Sequence, residues 1–270
     1  MMQTNYYNAR LWIMHGGRPL GAVSANELRS YVFPLYTPQG ALVLQEAPPD
    51  HPHHQGLWIG LEVDGHDLWN AGSRGLPRHR QEAAPALAEL APRVTEDSVR
   101  VDQHVRWLTA EGTELLQEER RIDFTAGDHF TCVTWRSTFG HAAKGAHIGQ
   151  TKEAGIGIRV PPHWETPLGG VIRNAAGQVG EAACFDQPSP WINVEGLVVG
   201  DRWAGIVLAP LPGSDSCPWF VRDYGIQLYN PSRHHAISLA LDDRITWAVQ
   251  VLAYDGRRSV SDIDEMVRQR

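Results

Sequence analysis

The sequence lacks the features of a membrane or exported protein. No apolar run approaches the roughly 18 residues that a membrane-spanning helix requires. The first residues do not show the basic region, apolar region and small-residue cleavage site of a signal peptide. We therefore expect a protein of the cytoplasm that has no membrane partner.

Cysteine and net positive charge are also scarce. The 270 residues include three cysteines and carry a formal net charge of −7 at pH 7. Cys132, Cys184 and Cys217 lie far apart in the sequence, which favours unpaired thiols in a reducing compartment over a disulfide framework. An acidic chain without a basic stripe argues against a nucleic-acid partner.

Motifs of several common enzyme classes are missing. The sequence contains no HExxH helix, Walker-type loop, GxGxxG fingerprint, paired CxxC or GxSxG elbow. The corresponding zinc proteases, P-loop enzymes, dinucleotide-binding enzymes and α/β-hydrolases are therefore not expected.

The pattern that is present throughout the chain is that of β-strands. Alternating or continuous apolar residues predict strands at 101–107, 120–124, 131–139, 155–160, 203–208, 225–229 and 245–254. Gly, Pro, Asp or Asn separates them at short intervals, which is typical of a sandwich or barrel. Helical periodicity is limited to 81–90, where Pro85 counts against a helix, and to 261–270, where Ser261 is a candidate cap. The sequence predicts one all-β domain over residues 1–270, a large antiparallel β-sandwich with a short C-terminal helix.

The densest group of chemically active side chains lies in the segment Asp-His-Pro-His-His-Gln-Gly-Leu-Trp at 50–58. Histidine titrates nearest neutral pH and is the commonest metal ligand, and a buried cluster of ionisable groups is costly unless its members are paired. In an extended segment, His51 and His53 would share one face and His54 would point to the other. These three histidines are candidate catalytic residues; the alternative is a solvated loop stiffened by prolines.

A second polar cluster occupies residues 147–153. It contains His147, Lys152 and Glu153, and a Lys–Glu pair beside histidine suits general acid–base catalysis. His147 and Glu153 are therefore further catalytic candidates. The alternative is a solvated turn that leads into the next strand.

Two further segments contain candidates for substrate binding. Residues 173–181 begin with Arg173 and Asn174 and are predicted to form a hairpin or a binding loop. Residues 219–225 place Arg222 and Asp223 between aromatic residues. The planar guanidinium of arginine suits carboxylates and sugar hydroxyls, although a structural Arg–Asp bridge would show the same pattern.

These segments, in this order, resemble a bacterial family of unknown function whose members are often labelled methane oxygenase PmoA. The matching stretches are 31–38, 50–58, 150–155, 172–181, Trp191, 221–225 and 254–256. The resemblance implies a β-sandwich similar to the galactose-mutarotase supersandwich, and a carbohydrate ligand. The C-terminal region has no glutamate motif comparable to that of the mutarotases, so mutarotation itself is not predicted.

Two functional interpretations remain open. In the first, an epimerase, lyase or hydrolase acts on a sugar, a keto sugar or a glycoside, with one of the three clustered histidines as acid or base and Glu153 or His147 as its partner. The substrate-binding residues would be Lys152, Arg173, Asn174, Trp191, Arg222, Asp223 and Tyr224.

The enzyme interpretation has a metal-assisted variant, in which His51, His53 and Glu153 hold a divalent ion. In the second interpretation the protein is a non-catalytic carbohydrate-binding or regulatory module. Its stacking platforms would be Trp58, Trp69, Trp191 and Trp219. Exposed sheet edges leave a homodimer open.

Overall fold

Antiparallel β-sheets dominate the structure, a computed structural model that describes residues 1–73, 75–140, 144–214 and 217–269. The first sheet contains, in spatial order, β1 (Met2–Tyr7), β2 (Arg10–His15), β3 (Arg18–Ala25), β4 (Ser30–Leu35), β5 (Leu57–Gly60), β14 (Gly155–Arg159), β19 (Ile226–Tyr229) and β18 (Phe220–Val221). The second contains β15 (Val171–Asn174), β16 (Ile192–Val199), β17 (Arg202–Pro210), β21 (Ile245–Asp255), β12 (Phe130–Gly140), β11 (Glu114–Ala126), β10 (Ser98–Leu108) and β8 (Arg80–Ala84), and β9 (Arg93–Val94) pairs with β10.

Smaller elements complete the fold. A third sheet contains β20 (Ile237–Leu239), β13 (Ala146–Ile148), β6 (Glu62–Val63) and β7 (His66–Asp67). The helices are α1 (Glu181–Cys184) and α2 (Val260–Arg268), and short 3-10 turns cover Leu87–Glu89, Pro162–Trp164 and Thr166–Leu168. Within the described ranges, no helix is long and apolar enough to cross a membrane.

The core lies between the two large sheets. Their long strands alternate inward and outward residues, so that Val133 and Trp135 of β12 are fully buried while their sequence neighbours are half-buried. Ile156 and Ile158 of β14 in the first sheet belong to the same buried cluster. The predicted all-β antiparallel sandwich with a short C-terminal helix is confirmed.

The other face of each large sheet carries its own apolar cluster. On the second sheet, α2 packs through Ile263 and Met266. On the first sheet, the outward residues of β4, β5, β18 and β19 form an aromatic and aliphatic layer with Trp69: Tyr31, Trp58, Trp69, Phe220, Ile226 and Leu228. This outer layer of the first sheet supports the histidine segment.

Two details of the sequence prediction were wrong. Residues 81–90 do not form a helix; they contain the end of β8 and a 3-10 turn, because Pro85 lacks the amide hydrogen that a helix would need there. The terminal helix is capped by Ser259, whose hydroxyl accepts from the Asp262 amide while the Asp262 carboxylate accepts from the Ser259 amide. The last residue of the predicted helix, Arg270, lies outside the described residues.

Candidate functional site

The histidine segment lies at one end of the neighbouring strands β5, β14, β19 and β18 in the first sheet. It precedes β5, and the pairing of Ile158 with Leu57 places the end of β14 beside it. Arg159, the last residue of β14, pairs with Ile226 at the start of β19, so the turn that contains Tyr224 is also at this end. Three segments far apart in sequence are thereby brought together.

A tight turn, rather than an extended strand, shapes the histidine segment. The His54 amide donates to the His51 carbonyl at 2.9 Å, which places both rings on the same side of the chain. The two rings are stacked, with centroids 4.7 Å apart and planes 5° apart. The segment is therefore not extended, and the arrangement expected for an extended segment, with His51 and His54 on opposite faces, does not apply.

The stack continues on both sides of this pair. Tyr224 covers the other face of His51, with centroids 4.9 Å apart and planes 7° apart, and Trp58 lies 5.1 Å from His54. His53 meets both His51 and His54 edge-on, at 5.7 and 4.5 Å. Since both faces of His51 are covered, the imidazole presents its edge to solvent.

The carboxylate of Asp50 orients the imidazole ring of His51. The Nδ1–H of His51 donates to Oδ2 of Asp50 at 2.8 Å, which leaves the lone pair of the neutral ring on Nε2. Burial raises the pKa of Asp50, but hydrogen bonds from His51 and Arg159 outweigh it and hold the pKa below its ordinary value. Asp50 is therefore ionised at neutral pH and fixes both the tautomer and the orientation of His51.

Arg159 connects the groups around the stack. Its guanidinium is 1% exposed and donates through Nη2 to Asp50 at 2.9 Å and to Glu165 at 3.1 Å. Nη1 lies 3.4 Å from Nδ1 of His54, and the cation lies 5.1 Å from the centroid of the Tyr224 ring. Two carboxylates offset the buried positive charge, which makes Arg159 a rigid centre of the site.

Glu153 and Lys152 approach the same turn. Lys152 Nζ lies 3.3 Å from Oε1 of Glu153. Burial, followed by the charge of Glu153, raises the pKa of Tyr224 to about 12. Tyr224 therefore keeps its hydroxyl proton at neutral pH and can donate a hydrogen bond.

His54 is a buried neutral member of the cluster. It is 0% exposed, and burial, with the nearby His53, His51 and Arg159, lowers its pKa far below the ordinary value of 6.5. His54 is thus a packing and hydrogen-bonding group that does not exchange protons near neutral pH.

This burial predicts a pH dependence of stability. Below its ordinary pKa of 6.5, His54 gains a proton in the unfolded chain but not in the folded one, so acid favours unfolding. We expect the free energy of unfolding to fall by up to about 1.4 kcal/mol per pH unit from this residue. Urea unfolding of wild type and His54→Gln between about pH 7.5 and about pH 5 measures the difference. Equal slopes in the two proteins would contradict the assignment.

Gly56 fixes the end of the histidine turn. Its φ is +69°, and a Cβ at this position would collide with the Val32 carbonyl oxygen and lie 3.0 Å from the Phe33 Cβ. We expect Gly56→Ala to reduce the free energy of unfolding by about 1–3 kcal/mol. The matched control is Gly65→Ala, at φ +79° with no atom within 4 Å, which isolates backbone strain from the collision. An equal loss in both variants would show that the collision has no effect.

Several predicted substrate-binding residues have structural contacts next to the site. Arg222 donates to Oε1 of Glu181 at 2.5 Å and lies 4.9 Å from the ring centroids of both Phe185 and Phe220. The Asp223 amide donates to the second oxygen of Glu181. These contacts shape the turn that carries Tyr224.

Other candidates lie elsewhere. Arg173 donates to the Arg258 carbonyl and pairs with Glu195. Asn174 is 1% exposed and closes a turn. Trp191, also 1% exposed, donates to Asp264 of α2. His147 lies in β13, where its ring contacts Ser238. None of these contacts involves the stacked rings.

The sequence interpretation missed Asp50, Arg159 and Glu165 as members of the site. Asp50 was visible only as a neighbour of the histidines. Arg159 could have been noticed in the sequence, because it is a charged residue at the end of an otherwise apolar strand and is followed by Val-Pro-Pro. Its partner Asp50 is 109 positions away, a distance that local pattern reading does not bridge.

The described residues offer no metal centre. No group of three or more His, Cys, Asp or Glu side chains within ranges 1–73, 75–140, 144–214 and 217–269 is placed to hold a metal ion. The rings of His51 and His54 stack face to face, and Nδ1 of His51 is bonded to Asp50. The metal-assisted variant therefore finds no ligand set here.

Comparison with known proteins adds a family. The sequence matches a family model over residues 10–268. The chain belongs to the family of unknown function DUF6807. The expected membership in a family of unknown function is confirmed, whereas the match does not carry the PmoA label. No curated protein matches the chain.

Several solved structures are similar to this DUF6807 chain. An Escherichia coli K12 protein assigned as an aldose 1-epimerase is 14% identical with a TM-score of 0.39, over 96% of this chain and 99% of that one. Heparan sulfate lyase HepC from Pedobacter heparinus is 7% identical with a TM-score of 0.42, over 96% and 37%. The GH36 α-galactosidase AgaA from Geobacillus stearothermophilus is 10% identical with a TM-score of 0.38, over 96% and 41%.

The chain thus spans about two fifths of the lyase and of the galactosidase. At these identities and TM-scores, no activity is transferred from the three proteins to this chain.

Proposed function

We propose that this protein is an enzyme that acts on a sugar or an oxidised sugar by acid–base chemistry, with His51 as the catalytic acid and base. One observation carries the proposal: Asp50, held by Arg159, accepts the Nδ1–H of His51 at 2.8 Å while stacked rings fix the imidazole plane. A carboxylate-oriented histidine with an accessible Nε2 is a general arrangement for proton transfer.

The proton transfer would proceed as follows. Nε2 of His51 removes a proton from a carbon next to a carbonyl, and the electron pair of the broken C–H bond moves to the carbonyl oxygen. The Tyr224 hydroxyl, which stays protonated, donates a hydrogen bond to that oxygen. As the enolate electron pair returns and breaks the C–O bond on the adjacent carbon, the imidazolium protonates the departing oxygen, which gives elimination. An epimer forms instead where water protonates the opposite face of the carbon and the imidazolium releases its proton to solvent. Asp50 stabilises the imidazolium in between.

A polyhydroxylated substrate suits the polar groups around His51. Lys152 is largely exposed, and the Glu153 and Tyr224 side chains are half-buried beside it. Ammonium, carboxylate and phenol groups donate to and accept from hydroxyls in several directions. Lys152, Glu153 and Tyr224 are therefore the proposed contacts to a sugar.

The enzyme is favoured over a binding module because the expected stacking platforms are inaccessible. Trp58, Trp69, Trp191 and Trp219 are each 0–1% exposed, so no sugar face reaches them in this conformation. The partly exposed rings are those of His51, His53 and Tyr224, and the edge of His51 suits proton transfer better than stacking because both of its faces are covered.

Proton NMR in D₂O tests the proposal directly. The protein is incubated with aldoses, keto sugars, sugar acids and glycosides, and the spectra are followed for deuterium exchange at carbon, epimerisation or elimination. We expect one class to exchange deuterium at the carbon beside its carbonyl. Binding of sugars without any exchange or turnover across the panel would overturn the enzyme proposal and favour the binding module.

A further inference from the structure

A small hollow lies beside the histidine segment, and Pro52, His53 and Gln55 belong to its lining. It encloses about 150 Å³ between three loops, and its lining also includes Arg29 and Arg78. His53 connects the hollow to the site, because its ring also contacts the rings of His51 and His54. A substrate group in this hollow would therefore be close to the proposed catalytic residue.

Arg29 is the unusual residue in this lining. It is 3% exposed, and its Nη2 donates to the main-chain carbonyls of Leu68 at 2.9 Å and Trp69 at 3.2 Å. Its Nη1 is buried and has no hydrogen-bond partner within the part of the chain that the structure describes. A buried guanidinium whose bonds go to neutral carbonyls has no direct counter-charge.

The nearby carboxylate of Asp67 attracts the Arg29 guanidinium, but among the described residues it makes no hydrogen bond or ion pair with it. Oδ1 of Asp67 accepts from the amides of Trp69 and Asn70, and Oδ2 accepts from the Asn70 side chain. Burial, with a contribution from Arg120 and against the attraction of Asp67, lowers the pKa of Arg29 to about 10. Arg29 therefore remains a cation at neutral pH.

The rim of the hollow carries one further ion pair. Arg78 pairs with Glu27, and their side chains are 54% and 75% exposed. Both belong to the lining, so the rim supplies a second positive charge together with a carboxylate that competes for it. An incoming anion would be attracted by the charge of Arg78 and repelled by the charge of Glu27.

We propose that this hollow binds the oxyanion group of an acidic sugar, a carboxylate or a phosphate, with Arg29 as its buried counter-charge and Arg78 at the rim. Because Nη1 of Arg29 is buried and Nη2 already donates to two carbonyls, Arg29 would act on the anion through its charge. The exposed guanidinium of Arg78 would make the direct contact, since its planar geometry matches both anions. The sugar part of this assignment rests on the proposed function; the anion part stands on the hollow and on Arg29.

Calorimetric titration at constant ionic strength tests the anion part without turnover. The probes are inorganic phosphate, glucuronate and glucose. We expect glucuronate or phosphate to bind at least about tenfold more tightly than glucose, a difference of about 1.4 kcal/mol. Preference for phosphate or for glucuronate identifies which oxyanion the hollow takes. Equal affinity for glucose and both anions overturns the proposal.

Variants at the exposed rim keep the test independent of folding. Glu27→Gln removes the competing carboxylate and should tighten anion binding about threefold or more, and Arg78→Gln should weaken it by a similar factor. Arg93→Gln, at a surface arginine with a 75% exposed side chain, is the matched control and should change nothing. Arg29→Met should abolish anion binding if it folds. Unchanged anion affinity in both rim variants overturns the proposal even if Arg29→Met unfolds.

The outcomes separate this inference from the proposed function. Charge-dependent anion binding without turnover on any sugar would support the anion site and overturn the proposed enzymatic function. Turnover that depends on His51 but shows no preference for anionic sugars would support the proposed enzymatic function and overturn the anion site.

Discussion

Replacement of His51 by alanine should lower kcat by about 10²–10⁴-fold, since this is the usual contribution of a positioned acid–base group. Sugar affinity should fall less than about tenfold, because the edge of one imidazole supplies only a small part of the contacts to a hydroxylated substrate. The measurement is kcat and KM on the substrate class that the D₂O experiment identifies. A loss confined to KM would show that His51 binds substrate but does not transfer protons.

Two comparison variants make this result specific. His104→Ala changes an exposed histidine of β10 and should leave both constants unchanged. Asp50→Asn keeps the shape of the positioning group but removes its charge, so kcat should fall and its pH profile should shift, because the imidazolium loses its stabilising partner. An unaltered pH profile in Asp50→Asn would mean that Asp50 has only a structural role.

Replacement of Glu118 by alanine should reduce the free energy of unfolding by about 3–5 kcal/mol, the usual cost of breaking a buried ion pair. Glu118 is 0% and Arg120 1% exposed. Arg120 donates to both carboxylate oxygens, at 2.7 and 2.6 Å. Trp107 Nε1 donates to Oε2 at 2.9 Å, and the Ser137 hydroxyl donates to Oε1 at 2.5 Å. The alanine variant leaves a guanidinium inside the sandwich without its carboxylate.

Urea unfolding followed by tryptophan fluorescence measures the Glu118 effect. The matched control is Glu82→Ala, which breaks the Arg106–Glu82 pair, whose two side chains are each 47% exposed, and which should cost less than about 1 kcal/mol. A Glu118→Met, Arg120→Met double variant should recover part of the loss, because it leaves no charge unpaired. A similar loss of unfolding free energy in Glu82→Ala and Glu118→Ala would contradict the claim that burial makes the Glu118–Arg120 pair costly to break.

The strand framework was predictable because its signal is local. The alternation in 101–107, 120–124 and 131–139 reports which side of each strand faces the core, and all three lie in observed strands. The C-terminal helix was also predictable, although the capping residue was misplaced by two positions. The segment 81–90 was misread because Pro85 was given too little weight against the periodicity.

The candidate site was only partly predictable. The concentration of histidines at 51–54 was visible in the sequence, and the structure places Lys152, Glu153 and Tyr224 around the same end of the sheet. Trp191 and Asn174 matched a family pattern as well as the histidines did, yet both are buried in structural contacts away from the stack. A resemblance in sequence does not separate residues that act in catalysis from residues that pack.

The sequence by itself determined the all-β architecture and the histidine-rich segment, since both depend on residues close together along the chain. Only the tertiary structure decided which histidine is buried and which one is partly exposed and oriented by a carboxylate. The turn from His51 to His54, the arrival of Tyr224, and the bond from Arg159 to Asp50 bury one imidazole and orient the other. The physical reason is that burial and pairing set the protonation state of a side chain, and its partners here come from strands that are distant in sequence.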